Sequence, residues 1–164
     1  MVILSGLGSC AATVSFPPAE TNSPSPIAQT SPNVSLSNIE QSVLEQINQY
    51  RRSQDLAPLT PNPTLTQLAR EHSEAMASGR VRFSHAGFQE RAQVISQRIG
   101  YRRIAENVAY NYGNQDPATV AVEGWLKSPG HLQNIRGQFN LTGIGVAKNA
   151  KGEYYFTQLF VQSR

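Results

Sequence analysis

The chain has 164 residues, 39% of them hydrophobic, with a net charge of +3 and one cysteine. That length suits one domain with appendages, and a lone cysteine excludes both an intramolecular disulfide and a cysteine-rich zinc site. The positive excess is mostly arginine, with Arg80, Arg82, Arg91, Arg98, Arg102 and Arg103 in one third of the chain. They are scattered and no nucleic-acid module surrounds them, so they read as a solvated face and no nucleic-acid partner is expected.

Taken in chain order, residues 1–14 come first. Leu7-Gly8-Ser9-Cys10 resembles a bacterial lipobox, in which a signal peptide is cut before a cysteine that then carries lipid. The apolar run before it suits the central region of a signal sequence, but Val2 follows Met1 with no positive residue in front. The expectation is a truncated lipoprotein-type signal region whose true start lies upstream, with Cys10 as the lipidation site. Residues 15–37 are rich in Pro, Ser, Thr and Asn, which cannot bury enough apolar surface to order, so they read as a disordered tether. Residues 38–164 are then the folded domain. Nothing after the first few residues reaches transmembrane length, so the membrane is expected to be met through a lipid anchor only.

A first helix is expected after Ser37, with Glu40 completing a capping box and Val43, Leu44, Ile47 and Tyr50 as its apolar stripe. A second starts near Pro63, carries Leu65, Leu68, Ala69, His72, Ala75 and Met76, and stops at Gly79. A shorter helix is expected over Gln89–Ile99. Asp116-Pro117 opens another, in which Ala118, Val122 and Trp125 share a buried face. Ser128-Pro129 then stops and restarts the chain, with Ser128 expected to cap the new turn and the break aiming His131 off a helix end. The stretches around "TGIGVAKNA" and "GEYYFTQLFVQS" read as two strands with a turn near Asn149–Gly152. Helices before strands, without βαβ alternation, give an α+β class.

Three histidines bear on chemistry. His72, on the apolar side of its helix, reads as structural; His85 lies in a loop, and His131 follows the break. Glu106, among Ile104, Ala105, Val108 and Ala109, is a carboxylate in buried surroundings, which must be paired, hydrogen-bonded or metal-bound. Two histidines and a glutamate suit a divalent metal such as zinc. The spacing alone does not choose: there is no HExxH, and a hydrogen-bonded His–Glu network is the competing reading. A Gly-x-Ser-x-Gly elbow, a catalytic cysteine and a phosphate-cradling glycine loop are all missing from the sequence.

In order, "FSH", "AENVA", "EGWLKSPGHLQNI", "LTGIGVA" and "YYFTQLF" resemble the bacterial branch of the CAP superfamily, the SCP-like domains related to cysteine-rich secretory proteins, antigens and pathogenesis-related proteins. The resemblance covers roughly residues 40–162. It implies a three-layer α-β-α sandwich around a central antiparallel sheet, a secreted or surface location, and a cleft at the sheet edge able to coordinate a divalent cation (zinc, calcium or magnesium). On this sequence the cleft residues are His85, Glu106 and His131. The superfamily's second acid corresponds to Ser128 and its strand histidine to Tyr155, so neither carries over cleanly; Glu123, Ser128 and Tyr155 are weaker candidates, and Glu123 reads more readily as a solvated helix carboxylate. Asn107 and Gln158 are expected to satisfy buried backbone groups. The function expected is a cell-envelope binding module for a lipid, glycan or peptide. The alternatives are a metal-dependent hydrolase of an envelope polymer or peptide, with His85 or His131 positioning a metal-activated water and Glu106 as base or ligand, and a scaffold whose polar trio only stabilises the fold. No common reaction follows from the motifs, so no catalytic residue is assigned.

Overall fold

The computed structural model describes residues 35–164. The signal region, Cys10 and all of the tether except its last three residues lie outside them. Helix α1 (Leu36–Ser53) begins two residues earlier than expected, because Ser35 rather than Ser37 caps it by accepting from the Asn38 amide. Glu40 is therefore free of capping duty; it is buried, receives the Arg70 guanidinium and accepts from the Val146 amide at 3.1 Å, tying the helix to the sheet. The stripe of α1 also runs differently. Ile39, Val43 and Ile47 are buried, whereas Leu44 and Tyr50 are partly covered and the next inward position is Arg51. Arg51 donates to the carbonyls of Ala57, Ile135, Gly137 and Phe139, four acceptors that no apolar side chain could satisfy.

A short β1 (Thr60–Pro61) leads into α2 (Pro63–Ala77), capped by Asn62 with proline at the first position. After α3 (Phe88–Arg98) comes β2 (Arg103–Tyr112), a strand not anticipated in the sequence. Its run "RIAENVAYNY" lacks the usual apolar and polar sides, because its middle, Glu106–Val108, is buried on both faces and polar residues sit on each. Helices α4 (Pro117–Lys127) and α5 (Pro129–Arg136) follow, separated by Ser128 in an extended conformation. Ser128 occupies the cap position of α5 but makes no side-chain cap bond. β3 (Leu141–Lys148) and β4 (Glu153–Gln162) close the chain as a hairpin.

The sheet order is β1-β3-β4-β2. Its three long strands are antiparallel, as expected, but β1 pairs parallel with β3, so the sheet is mixed. Side-chain alternation splits the core in two. On one face Ile144, Val146, Phe156 and Phe160 meet α1, α4 and α5 through Ile39, Val43, Ile47, Val122, Trp125 and Ile135. On the other, Leu159 and Val161 meet α2 and α3 through Leu65, Ala69 and Ile95. The result is an α-β-α sandwich. Helix α2 lies so close to β3 that a Cβ at Gly143 or Gly145 would collide with its backbone at Leu65, Thr66, Ala69 and Arg70. Among the described residues no helix is long and apolar enough to cross a membrane.

Candidate functional site

Glu106 lies in the middle of β2, facing the α2–α3 layer opposite Leu159 of β4. Its side chain is 2% exposed. Two partners hold it. Arg91, near the start of α3, forks onto both oxygens, Nε to Oε2 and Nη2 to Oε1, each at 2.9 Å. Arg91 is itself fixed by donating Nη1 to the Ala86 carbonyl at 2.9 Å. The second partner is His85, whose Nδ1 lies 2.9 Å from Glu106 Oε1.

A carboxylate only accepts, so Nδ1 of His85 carries the proton and Nε2 presents a lone pair when the ring is neutral. That ring is 52% exposed. A fully buried, charge-compensated carboxylate thus fixes the tautomer and orientation of a solvent-facing imidazole. The loop that brings His85 there is anchored by His72, buried in α2, which donates Nε2–H to the Ser84 carbonyl at 2.9 Å. Burial, followed by the positive charge of Arg91, pushes the His72 pKa down and keeps it neutral for this structural task.

His131 reaches the same edge from the opposite helical layer, in the first turn of α5. The α5 helix is bolted to β2 at its "EN" pair. Asn107 donates to the His131 carbonyl at 3.2 Å, and Asn134 donates to Asn107 Oδ1 at 2.9 Å and to the Glu106 carbonyl at 3.4 Å. The restart after Ser128 is what turns the chain so that α5 can make these bonds. The His131 imidazole is half-buried; desolvation, followed by the nearby charge of His85, lowers its pKa. It makes no hydrogen bond to Glu106 or His85, so the three candidates form a bonded pair with a neighbour and not a bonded trio.

The remaining candidates make no hydrogen bond to the pair. Glu123 pairs with Lys127 one turn along α4, both on solvent. Ser128 sits at the α4–α5 joint. Tyr155 pairs across strands with Tyr110, its hydroxyl 3.3 Å from Glu153, and burial, followed by that carboxylate, raises its pKa. Asn107 acts on backbone as expected; Gln158 donates to Thr142 Oγ1 at 3.2 Å but leaves its own carbonyl oxygen without a protein partner. The sequence reading missed Arg91 as the partner of Glu106. The signal was present, since Arg91, Ala92 and Ile95 fall on one helical face and a charge inside an apolar stripe demands a buried partner.

The residues do not fit a metal site in which Glu106 is a direct ligand. Both of its oxygens already accept from a guanidinium, leaving two imidazoles as donors. Among the described residues no three His, Cys, Asp or Glu side chains group to hold an ion.

The Cysteine-rich secretory protein family model, CAP, matches residues 44–160. The chain is 32% identical over 126 residues to the uncharacterized membrane protein YlbC of Bacillus subtilis, covering 75% of this chain and 34% of that protein. It is 34% identical over 135 residues to the uncharacterized protein YkwD of the same organism, covering 80% of this chain and 50% of that one. It therefore spans half or less of these curated relatives. Among solved structures, an extracellular SCP-domain protein from Bacillus anthracis superposes with a TM-score of 0.64 at 26% identity, over 77% of this chain and 41% of that one. An outer surface protein of Borrelia burgdorferi shares the fold, with a TM-score of 0.67 at 19% identity over 79% of this chain and 96% of that one. With the family match running from α1 into β4, through the His85–Glu106 pair and the α5 bolt, the chain belongs to the Cysteine-rich secretory protein (CAP) family.

Proposed function

We propose that the chain is an extracytoplasmic binding module of the cell envelope, its ligand seated at the free edge of β2 against His85 with His131 on the opposite wall. One observation carries this reading: a carboxylate that is 2% exposed and fully engaged by Arg91 holds a half-exposed imidazole by its Nδ1. A scaffold needs Glu106 and Arg91 but has no use for a solvent-facing ring fixed in one tautomer. The extracellular and outer-surface descriptions of the structural relatives support the location, and Cys10 would supply the anchor.

A hydrolase is the second reading, because a carboxylate-oriented imidazole is also the arrangement of a general base. Arg91 weakens it: a carboxylate already neutralised by a guanidinium stabilises an imidazolium less. No nucleophile joins the pair in the described structure.

The test is co-sedimentation of the chain with a washed, protease-treated envelope fraction, with and without EDTA, in a Cys10→Ser background that removes the proposed anchor. The parent should sediment with the envelope in both conditions, and His85→Ala should stay in the supernatant while retaining its fold. Equal sedimentation of the parent and His85→Ala would refute the cleft; loss of binding in EDTA would restore the metal reading.

A further inference from the structure

Along the same face of β2, beyond Glu106, Val108 gives way to Tyr110 and Tyr112. Three of the five exposed large hydrophobic side chains among the described residues gather here: Phe83 at 51%, Tyr110 at 46% and Tyr112 at 64% exposure. Phe83 precedes His85 by two residues. Its ring centroid lies 6.2 Å from that of Tyr110, which lies 5.2 Å from that of Tyr155. Successive rings are tilted by 53° and 48°, so they form a stepped platform that starts two residues from His85 in the chain.

The polar groups around it include several acceptors, beside the Asn149 amide and the Lys151 charge. Glu153 accepts hydrogen bonds from the Tyr110 hydroxyl at 3.1 Å and the Tyr155 hydroxyl at 3.3 Å, and also from Asn149. Both phenol oxygens keep lone pairs, and His85 presents Nε2 as another. The hydrogen bond from Asn149, followed by those from Tyr110 and Tyr155 and by the Lys151 charge, holds Glu153 ionised, its pKa below the ordinary carboxylate value.

We infer that this platform is a glycan subsite: the Phe83–Tyr110–Tyr155 rings stack on the C–H faces of sugar rings while Glu153 and His85 accept from their hydroxyls. The inference rests on the cleft reading above and names its ligand class. Ring faces beside acceptors suit a polyol, which brings both C–H faces and O–H donors. An extended peptide added to β2 is disfavoured, because Trp125 Nε1 already donates to the Val108 carbonyl at 3.0 Å and Asn134 to that of Glu106. An acyl chain would gain nothing from an open surface rimmed by a carboxylate.

The experiment is titration of the 15N-labelled full-length protein with chitohexaose, alongside phosphatidylglycerol vesicles. Chitohexaose should bind saturably and shift the amides of Phe83, Tyr110 and Tyr112. Tyr110→Ala, an exposed change that leaves the fold intact, should weaken binding about tenfold, and Tyr110→Phe should restore most of it. No saturable binding, equal affinity in Tyr110→Ala, or the same amides shifting with vesicles would overturn the subsite. Loss in His85→Ala with none in Tyr110→Ala would keep the cleft and remove the platform. Loss in Tyr110→Ala with none in His85→Ala would keep the platform and remove the cleft.

Discussion

Glu106 is where structure and function share one side chain. Its two oxygens satisfy a guanidinium that is itself nearly buried, and one of them also orients His85. Removing one partner of such a pair strands the other charge away from water. Glu106→Ala should therefore cost about 3–5 kcal/mol in urea or guanidinium denaturation, and His85→Ala, at the exposed end, much less. Because the loss belongs to the pair, Glu106→Ala combined with Arg91→Leu should cost clearly less than the sum of the single changes. A Glu106→Ala cost below about 1 kcal/mol, the range of an exposed ion pair, would sink this account. His131 differs in kind, since its carbonyl anchors α5 whereas its ring is left without a bond to the pair.

At the level of elements, the site depends on how α2 rides the sheet. Gly143 and Gly145 clear a track on β3 along which the backbone of α2 lies, and α2 carries His72, the anchor for the loop bearing His85. The alternate glycines of "LTGIGVA" are thus a packing requirement, legible afterwards as a face of the strand with no Cβ. Gly145→Ala should displace α2 and destabilise the domain by at least the ~1–3 kcal/mol typical of overpacking. The displacement should also perturb the His85 ring resonances, some distance from the substitution. An unchanged His85 signal beside a full stability loss would separate the helix track from the site.

The whole molecule stores two neutral histidines, His72 and His131, one in each helical half of the sandwich. Both have pKa values below the ordinary 6.5, chiefly through burial. The unfolded chain therefore binds more protons than the folded one as pH falls through that value. Their contribution to stability is fully present above about pH 6.5 and drains away below it, until the folded rings protonate. The melting temperature should fall between pH 7.5 and 5.5, and His72→Gln, which can still donate to Ser84, should flatten that slope. A slope unchanged in His72→Gln would assign the pH dependence elsewhere.

The linear sequence determined what short-range chemistry can specify. The cap at Asp116, the proline-opened helices, the buried face of Trp125 and the Asn149–Gly152 turn all follow from local preference and periodicity. The ordered motifs carried the family, and burial logic singled out Glu106 before any partner was visible. Tertiary structure alone decided the partners. Arg91 and His85 meet Glu106 from 15 and 21 residues away, and α5 reaches it from the opposite layer, around a strand whose middle is buried on both faces, which erases the alternation that would have announced it. Which oxygens remain free for a ligand is a property of that convergence, because a carboxylate's lone pairs are shared out in space, among whichever donors the packed layers bring within about 3 Å.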